Sequence, residues 1–206
     1  MKKVLVLAAV AMALGFNAWG AETILNPTAD SPVFGLYPSG NYGSQTYGYW
    51  GYFNYPMRTL VKYDCSTLSG SVTGVKLSFQ LMQNNWSGTQ IWACKLLGDW
   101  QEMTVTYGNQ PSHDDTAAGR FLDTVAPAGT GIHTLNCTTA ANTIVQAWMS
   151  TPASNYGIIL RTQNEGGNLR AYPYMKESSN QPVRLVVETA TGVAPASLGR
   201  IKSLYN

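Results

Sequence analysis

One run of alternating apolar and polar residues limits what this chain can fold into more than any other feature of its sequence. The apolar members are Val75, Leu77, Phe79 and Leu81, and the residues between them are Lys76, Ser78, Gln80 and Met82. Successive side chains of a β-strand point to opposite faces of the sheet. The run therefore predicts a strand with one face in an apolar core.

Other short segments rich in β-branched and aromatic residues are separated by Gly, Asn and Pro, which predicts further strands. We predict strands over 22–36 (interrupted by two prolines), 58–64, 90–97, 132–137, 158–162, 169–175 and 183–188. One helix is predicted before the C-terminal tail: it begins at Thr138 or Thr139, ends at Met149 and has Val145 and Trp148 on its apolar face. Such a pattern predicts an all-β fold, a two-sheet antiparallel β-sandwich with one short helix.

The segment from Gly98 to Tyr107 carries Trp100 and Glu102 ahead of Thr104-Val105-Thr106. Its β-branched and aromatic residues predict a tight turn that leads into a strand. We predict that Trp100 fills the space between the sheets and that Glu102 accepts hydrogen bonds from a neighbouring loop or from Arg58. The glycine- and proline-containing stretch 109–131 is predicted as a loop.

The two ends of the chain are predicted to lie outside the folded domain of residues 21–189. Lys2 and Lys3 precede a short apolar run and the small residues around Ala18 and Gly20, which predicts a signal peptide over 1–20 that is cleaved after Gly20. The protein is then secreted or held at the cell surface, and the apolar run is too short to predict a membrane span. Residues 190–206 are predicted as a tail with a short amphipathic helix, either a frayed terminus or a docking peptide.

Net charge argues against a nucleic acid as the partner. The chain has 13 basic and 11 acidic residues, and loss of Lys2 and Lys3 with the signal peptide leaves the mature chain formally neutral. Proteins that bind nucleic acid or an anionic membrane through bulk electrostatics carry an excess of Lys and Arg. We therefore predict neither partner.

An uncharged segment from Tyr37 to Tyr55 contains eight aromatic residues and predicts a long loop or irregular hairpin. Its rings either cap the end of the sandwich and pack on one another, or form a platform on which the C–H faces of sugar rings stack. The candidate carbohydrate-binding residues are Tyr47, Tyr49, Trp50 and Tyr52, together with Trp86 from a separate turn.

Four separated motifs together resemble the DNRLRE domain family. They are Asn41-Tyr42-Gly43 ahead of the 58–64 strand, the alternating strand from Val75, Trp100-Gln101-Glu102 with Asn109 and Pro111 following, and the series Leu135 to Trp148, Asn155-Tyr156-Gly157 and Lys176-Glu177-Ser178. The order and spacing of the motifs carry the resemblance over residues 22–189. The chain departs from the family at Tyr63, which is usually Phe, and at Asn136, which is usually Asp.

The resemblance implies a jelly-roll-like, non-catalytic domain related to carbohydrate-binding modules. We therefore expect a secreted module that binds polysaccharide at the aromatic loop and has no enzymatic activity. The alternative is a structural or adhesive surface protein that makes protein–protein contacts. The acidic pairs and the two histidines lack the arrangement that a glycosidase, a serine hydrolase or a zinc site requires.

By analogy with jelly-roll binding modules, calcium is the one cofactor expected. Its oxygen ligands would come from Asp30, Asn41, Asp123 and Glu177.

Secretion would place the three cysteines in an oxidising compartment, where bridges are common. Cys65 and Cys137 occupy what look like equivalent strand ends in the family motifs, which implies a disulfide between them with Cys94 as a buried free thiol. The alternative is that all three thiols are reduced and buried.

Overall fold

Twelve strands and one α-helix form the part of the chain that the computed structural model describes, residues 20–85, 88–166 and 168–190. The strands are β1 (Ala21–Leu25), β2 (Pro27–Phe34), β3 (Trp50–Phe53), β4 (Pro56–Tyr63), β5 (Ser71–Asn84), β6 (Gln90–Leu96), β7 (His113–Asp114), β8 (Arg120–Val125), β9 (Gly131–Asn136), β10 (Ile158–Thr162), β11 (Asn168–Pro173) and β12 (Arg184–Ala190). The helix α1 (Thr139–Ser150) lies between β9 and β10, and a 3-10 turn at Pro152–Ser154 follows it. The predicted signal peptide up to residue 19 and the tail from residue 191 lie outside the described residues.

Every strand pair is antiparallel, which confirms the all-β antiparallel fold. Hydrogen bonds connect the strands in the order β1-β12-β5-β11-β3-β4-β10-β6-β7, while β2, β8 and β9 pair with β4, β6 and β5. Side chains of β5 and β12 share one buried cluster with side chains of β4, β6 and β10. A single hydrogen-bonded sheet thus supplies both layers around the core, joined through β11 and β3.

The alternation in β5 places one set of side chains in this core, as predicted. Val75 is 4% exposed, Leu77 and Phe79 are fully buried, and Met82 on the other face is 43% exposed. Removal of such large apolar side chains from water is the main driving force for the fold.

The helix α1 begins where the sequence predicts. Thr138 is the N-cap, and its Oγ1 accepts a hydrogen bond from the backbone N–H of Ala141 at 3.3 Å. Trp148 is 1% exposed and stacks on Phe121, with the ring centroids 5.7 Å apart. The helix therefore closes one side of the core. No helix among the described residues is long and apolar enough to cross a membrane.

A second apolar cluster lies on the opposite face of β4, β6 and β10. Leu60 belongs to it, whereas the next residue, Val61, belongs to the main core, as expected for neighbours in a strand. Trp100 is 5% exposed within this second cluster, and its Nε1–H donates to the carbonyl oxygen of Tyr156 at 2.9 Å. The prediction that Trp100 lies between the layers is therefore wrong.

The Trp100 segment is also not a strand. Its residues form turns: the backbone N–H of Val105 donates to the carbonyl of Gln101 at 2.9 Å, and Asn109 Oδ1 accepts from the N–H of Thr106 at 2.6 Å. These local hydrogen bonds use backbone groups that, in a strand, would bond to a neighbouring strand. The stretch 109–131, predicted as a loop, contains β7 and β8.

The disulfide predicted between Cys65 and Cys137 is not formed, and all three cysteines are free thiols. The two sulfur atoms have different partners. Cys65 Sγ accepts from Asn155 Nδ2 at 3.8 Å, whereas the Cys137 thiol is hydrogen-bonded to the backbone of Leu77. Cys94 is fully buried, as predicted.

Candidate functional site

The aromatic segment leaves the end of β2 and returns through β3, and hydrogen bonds hold it against the loop after β6 and against β4. Asn41 Nδ2 donates to the carbonyl oxygens of Glu102 and Val105, both at 2.7 Å. The backbone N–H of Tyr49 donates to Oγ1 of Thr59 on β4 at 3.0 Å, and that hydroxyl donates back to the Tyr49 carbonyl at 2.6 Å. These hydrogen bonds fix the position of the aromatic segment, whose sequence shows no periodicity.

Close packing against β4 requires a glycine immediately before Tyr49. A Cβ at Gly48 would lie 2.5 Å from Met175 Sδ and 2.7 Å from Thr59 Oγ1. Since both distances are far below van der Waals contact, a larger residue would require the Met175 and Thr59 side chains or the segment itself to shift.

The rings of this segment pack on one another and on rings from two strands. Phe34 at the end of β2 contacts Tyr42 and Tyr49, with centroids 4.5 Å apart in both pairs and near-perpendicular planes. Tyr49 also contacts Tyr172 of β11 at 5.0 Å and Tyr47 at 5.6 Å. These edge-to-face contacts are favourable arrangements of aromatic rings. The interpretation that the rings pack on one another is therefore confirmed for these residues.

The same cluster surrounds a surface pocket, which we name the aromatic pocket. It is lined by Phe34, Tyr37, Tyr42, Tyr49 and Tyr55 and has a volume of about 180 Å³. Tyr37 stands at its edge with 59% of its surface exposed. Sites for drug-sized ligands enclose roughly 300–1,000 Å³, so this pocket suits a single small ring.

Burial raises the pKa of both Tyr42 and Tyr49, and neighbouring tyrosines reinforce the shift. Their phenols therefore stay protonated in neutral solution and can both donate and accept hydrogen bonds.

The predicted carbohydrate-binding residues occupy different positions relative to the aromatic pocket. Tyr49 lines the aromatic pocket, and Tyr47 flanks it through Tyr49 and Tyr172. Tyr52 is partly buried in β3, opposite Leu169, and is not a lining residue.

Trp50 does not support its predicted role in sugar binding. Its side chain is fully buried in the main core beside Phe79, with ring centroids 5.5 Å apart, and its Nε1–H donates to the carbonyl of Arg161 at 2.8 Å. It has no ring face that a sugar could reach. Trp86 lies outside the described residues.

Most residues that line the aromatic pocket were not among the predicted binding residues. Tyr37, Tyr42 and Tyr55 belong to the recognised aromatic segment, so its composition already contained that signal. Phe34 is the last residue of β2, just before the segment, whereas the adjoining Tyr172 belongs to the distant strand β11, which only the strand order brings to this place.

Three carboxylates from separate parts of the chain meet below the aromatic segment. Asp30, Glu102 and Glu177 each offer an oxygen, and these oxygens lie within 4.8 Å of one another. Lys176 joins them, with its Nζ 3.0 Å from Glu102 Oε2 and also in contact with Glu177. We name these four residues the acidic cluster.

Asp30 is the buried member of the acidic cluster, at 1% exposure. Its Oδ2 accepts from the backbone N–H of Lys176 at 2.8 Å, while Oδ1 has no hydrogen-bond partner. Burial raises the pKa of Asp30 to about 8, reinforced by Glu177 and Glu102 and opposed by that backbone hydrogen bond. A charged carboxylate is therefore unfavourable here without a further cation.

The ligands predicted for calcium are only partly brought together. Asp30 and Glu177 meet in the acidic cluster, where Glu102 takes part although it was not predicted. Asn41 lies alongside: its Nδ2 donates to the carbonyls of Glu102 and Val105, and its Oδ1, the atom that could bind calcium, accepts from the backbone N–H of Gly43 at 3.4 Å. Asp123 lies elsewhere, because its carboxylate accepts from Trp92 Nε1 at 2.9 Å and from Arg120.

Arg58 is not a partner of Glu102, contrary to one of the two predictions for that glutamate. Arg58 donates to both oxygens of Glu165, at 2.6 and 2.8 Å. Glu102 instead accepts from the backbone N–H of Asp30 and pairs with Lys176. Its position therefore connects the Trp100 loop with β2 and with the chain after β11.

The sequence matches the model of one known protein family. A family model described as carbohydrate-binding module family 96 matches residues 21–189, nearly all of the described chain. The match agrees with the relation to carbohydrate-binding modules that the motifs indicate, although the family it names is not the DNRLRE family. The chain has no match among the curated proteins.

Proposed function

Because this chain belongs to carbohydrate-binding module family 96, we propose that it is a secreted, non-catalytic module that holds a polysaccharide at the aromatic pocket. The observation that carries the proposal is the pocket itself. Four tyrosines and Phe34 surround a space of about 180 Å³ that opens to solvent beside Tyr37.

The chemistry of the pocket suits a sugar ring. The C–H faces of a pyranose are apolar and pack on aromatic faces, while its hydroxyls need hydrogen-bond partners. Tyrosine offers both an aromatic face and a hydroxyl, and four tyrosines line the pocket. The small volume favours one sugar unit inside, with the adjoining units of the polymer over Tyr47 and Tyr172.

A binding function without catalysis also fits the roles of two partly buried acidic side chains. Glu102 accepts from the backbone N–H of Asp30 and pairs with Lys176, and Glu165 pairs with Arg58. A glycosidase instead needs two carboxylates that face each other across a bound substrate. The predicted signal peptide would deliver the module to the side of the membrane where polysaccharides lie.

Affinity electrophoresis of the purified protein in gels that contain neutral or acidic polysaccharides tests the proposal. We expect at least one polymer to retard the wild type, and Tyr37→Ala to weaken that retardation by about tenfold or more in affinity, the effect of losing one well-packed aromatic contact. Tyr37 is largely exposed, so its replacement should leave the fold intact.

Ile132→Ala is the matched control. Ile132 is 63% exposed on β9, which pairs with β5 and lies away from the pocket strands β2 and β3. This variant should migrate as the wild type does. The proposal fails if no polysaccharide retards the wild type, or if Tyr37→Ala binds as tightly as the wild type and Ile132→Ala.

A further inference from the structure

The spacing of the oxygens in the acidic cluster suits a calcium ion. Asp30 lies on β2, Glu102 in the loop after β6, and Glu177 just after β11, and one oxygen of each lies within 4.8 Å of the other two. Calcium binds oxygen ligands at about 2.3–2.6 Å, so two ligands on opposite sides of one ion are about 5 Å apart. Three oxygens with this spacing can therefore contact one ion.

A second observation is independent of the spacing. Asp30 is 1% exposed, and its Oδ1 has no hydrogen-bond partner. A buried carboxylate oxygen without a partner is costly, and a native fold normally supplies a donor or a cation. The other oxygen, Oδ2, is already used by the backbone N–H of Lys176, which leaves Oδ1 free for a metal.

The net charge of the acidic cluster also favours the binding of a divalent cation. Lys176 contributes one positive charge against three carboxylates, which leaves two negative charges when all are ionised. Among the described residues, the Lys176 ammonium forms ion pairs with Glu102 and Glu177, but none with Asp30. The lysine therefore does not replace a cation at the buried end of the cluster.

We propose that Asp30, Glu102 and Glu177 bind one calcium ion, with backbone carbonyls and water as the remaining ligands. Glu177 lies at the surface with 24% of its side chain exposed, which gives the ion a route from solvent. The backbone carbonyl of Glu102 accepts from Asn41 at 2.7 Å, so an ion held by Glu102 would also fix the base of the aromatic segment. Calcium is favoured over magnesium because calcium accepts many oxygen ligands in a flexible geometry. Magnesium usually binds only one or two carboxylates and keeps several of its waters.

Calorimetric titration of the chelator-treated, purified protein with calcium chloride tests this site. We expect one ion per chain, and a melting temperature that rises with calcium in proportion to the logarithm of its concentration above Kd. Magnesium chloride at the same concentrations should give a smaller rise. Asp30→Asn and Glu177→Gln should each weaken calcium binding by about tenfold or more, at least the effect of losing an outer-shell partner of a metal.

Asp99→Asn is the matched control, because Asp99 is an exposed acid of the Glu102 loop that pairs with Lys62 outside the cluster. It should bind calcium as the wild type does. The proposal is overturned if millimolar calcium gives neither binding heat nor a change in melting temperature for the wild type, or if both cluster variants keep wild-type affinity. Since Glu177 is exposed, Glu177→Gln should fold even if Asp30→Asn does not. The experiment measures metal binding, so its result is independent of whether the protein binds polysaccharide.

Discussion

The backbone N–H of Asp30 donates a hydrogen bond of 2.8 Å to Oε1 of Glu102, 72 residues away in the sequence. The second oxygen of Glu102 lies 3.0 Å from Lys176 Nζ, and its backbone carbonyl accepts from Asn41 at 2.7 Å. One glutamate thus connects β2, the aromatic segment and the chain that follows β11. Its backbone carbonyl contacts the aromatic segment at Asn41, although its side chain does not line the pocket.

Glu102→Ala should therefore destabilise the whole domain. The replacement leaves the Asp30 N–H without its acceptor and removes one of the two carboxylates that pair with Lys176. The loss of hydrogen bonds to a charged group costs roughly 1.5–3 kcal/mol. We expect a decrease of that size in the free energy of unfolding, measured by urea denaturation in excess chelator. Asp99→Asn, which removes an exposed ion pair, should change it by less than about 1 kcal/mol. Equal stability of Glu102→Ala and the wild type would contradict the role described for Glu102.

Trp50→Ala should lower the free energy of unfolding far more than Tyr37→Ala, because Trp50 lies in the core and Tyr37 lines the pocket. Trp50 is fully buried, and replacing such a side chain by alanine costs about 3–5 kcal/mol. Tyr37→Ala should change the free energy of unfolding by less than about 0.5 kcal/mol, because its ring is mostly exposed. Urea denaturation of both variants under the same conditions measures the difference. If Trp50→Ala were as stable as Tyr37→Ala, Trp50 could not be a core residue.

The elements that depend on local sequence could be predicted. The alternation in β5 and the Thr138 cap of α1 each act within a few residues, so the sequence pattern alone determines them. The composition of Thr104-Val105-Thr106 suits a strand, but the Asn109 side chain accepts from the N–H of Thr106 and donates to the carbonyl of Thr104, which favours a turn. A strand preference of this kind is weak and is overridden by such bonds.

The site was less predictable than the fold. Tyr49 and Trp50 are adjacent aromatic residues that point in different directions, one to the pocket and one to the core. In a segment where aromatic residues occupy both faces, composition does not indicate which face is buried. Tyr172 and Glu102 reach the aromatic cluster and the acidic cluster only through long-range packing, which one sequence without a structure does not show.

His113 should make stability depend on pH. Its Nε2 lies 2.9 Å from Arg161 Nη1. Burial, followed by the charges of Arg161 and Arg58, lowers the pKa of His113 below 6.5, against the opposing effects of Asp115 and Glu165. Since the folded pKa lies below the unfolded one, protonation favours the unfolded state. The contribution of His113 is therefore complete above about pH 6.5 and decreases as the pH falls through the folded pKa.

Urea denaturation at pH values from about 7.5 to 5 measures this effect. The free energy of unfolding of the wild type should fall more steeply with decreasing pH than that of His113→Gln, which has no titrating group at this position. Groups elsewhere titrate equally in both proteins, so the difference between the two curves reports His113. Parallel curves would show that His113 has the same pKa in the folded and unfolded states.

The three cysteines should be unreactive in the folded protein and free in the unfolded one. Burial raises the pKa of Cys65 and of Cys94 to about 12 and raises that of Cys137 as well. Because the thiolate is the nucleophile, iodoacetamide at pH 8 should label none of them quickly under native conditions. After denaturation without a reductant, mass spectrometry should find three labelled thiols. A single labelled thiol would instead reveal one disulfide, and peptide mapping would show whether it joins Cys65 to Cys137. We expect these two thiols to stay unpaired with each other, because Cys65 bonds to Asn155 and Cys137 bonds to the backbone of Leu77.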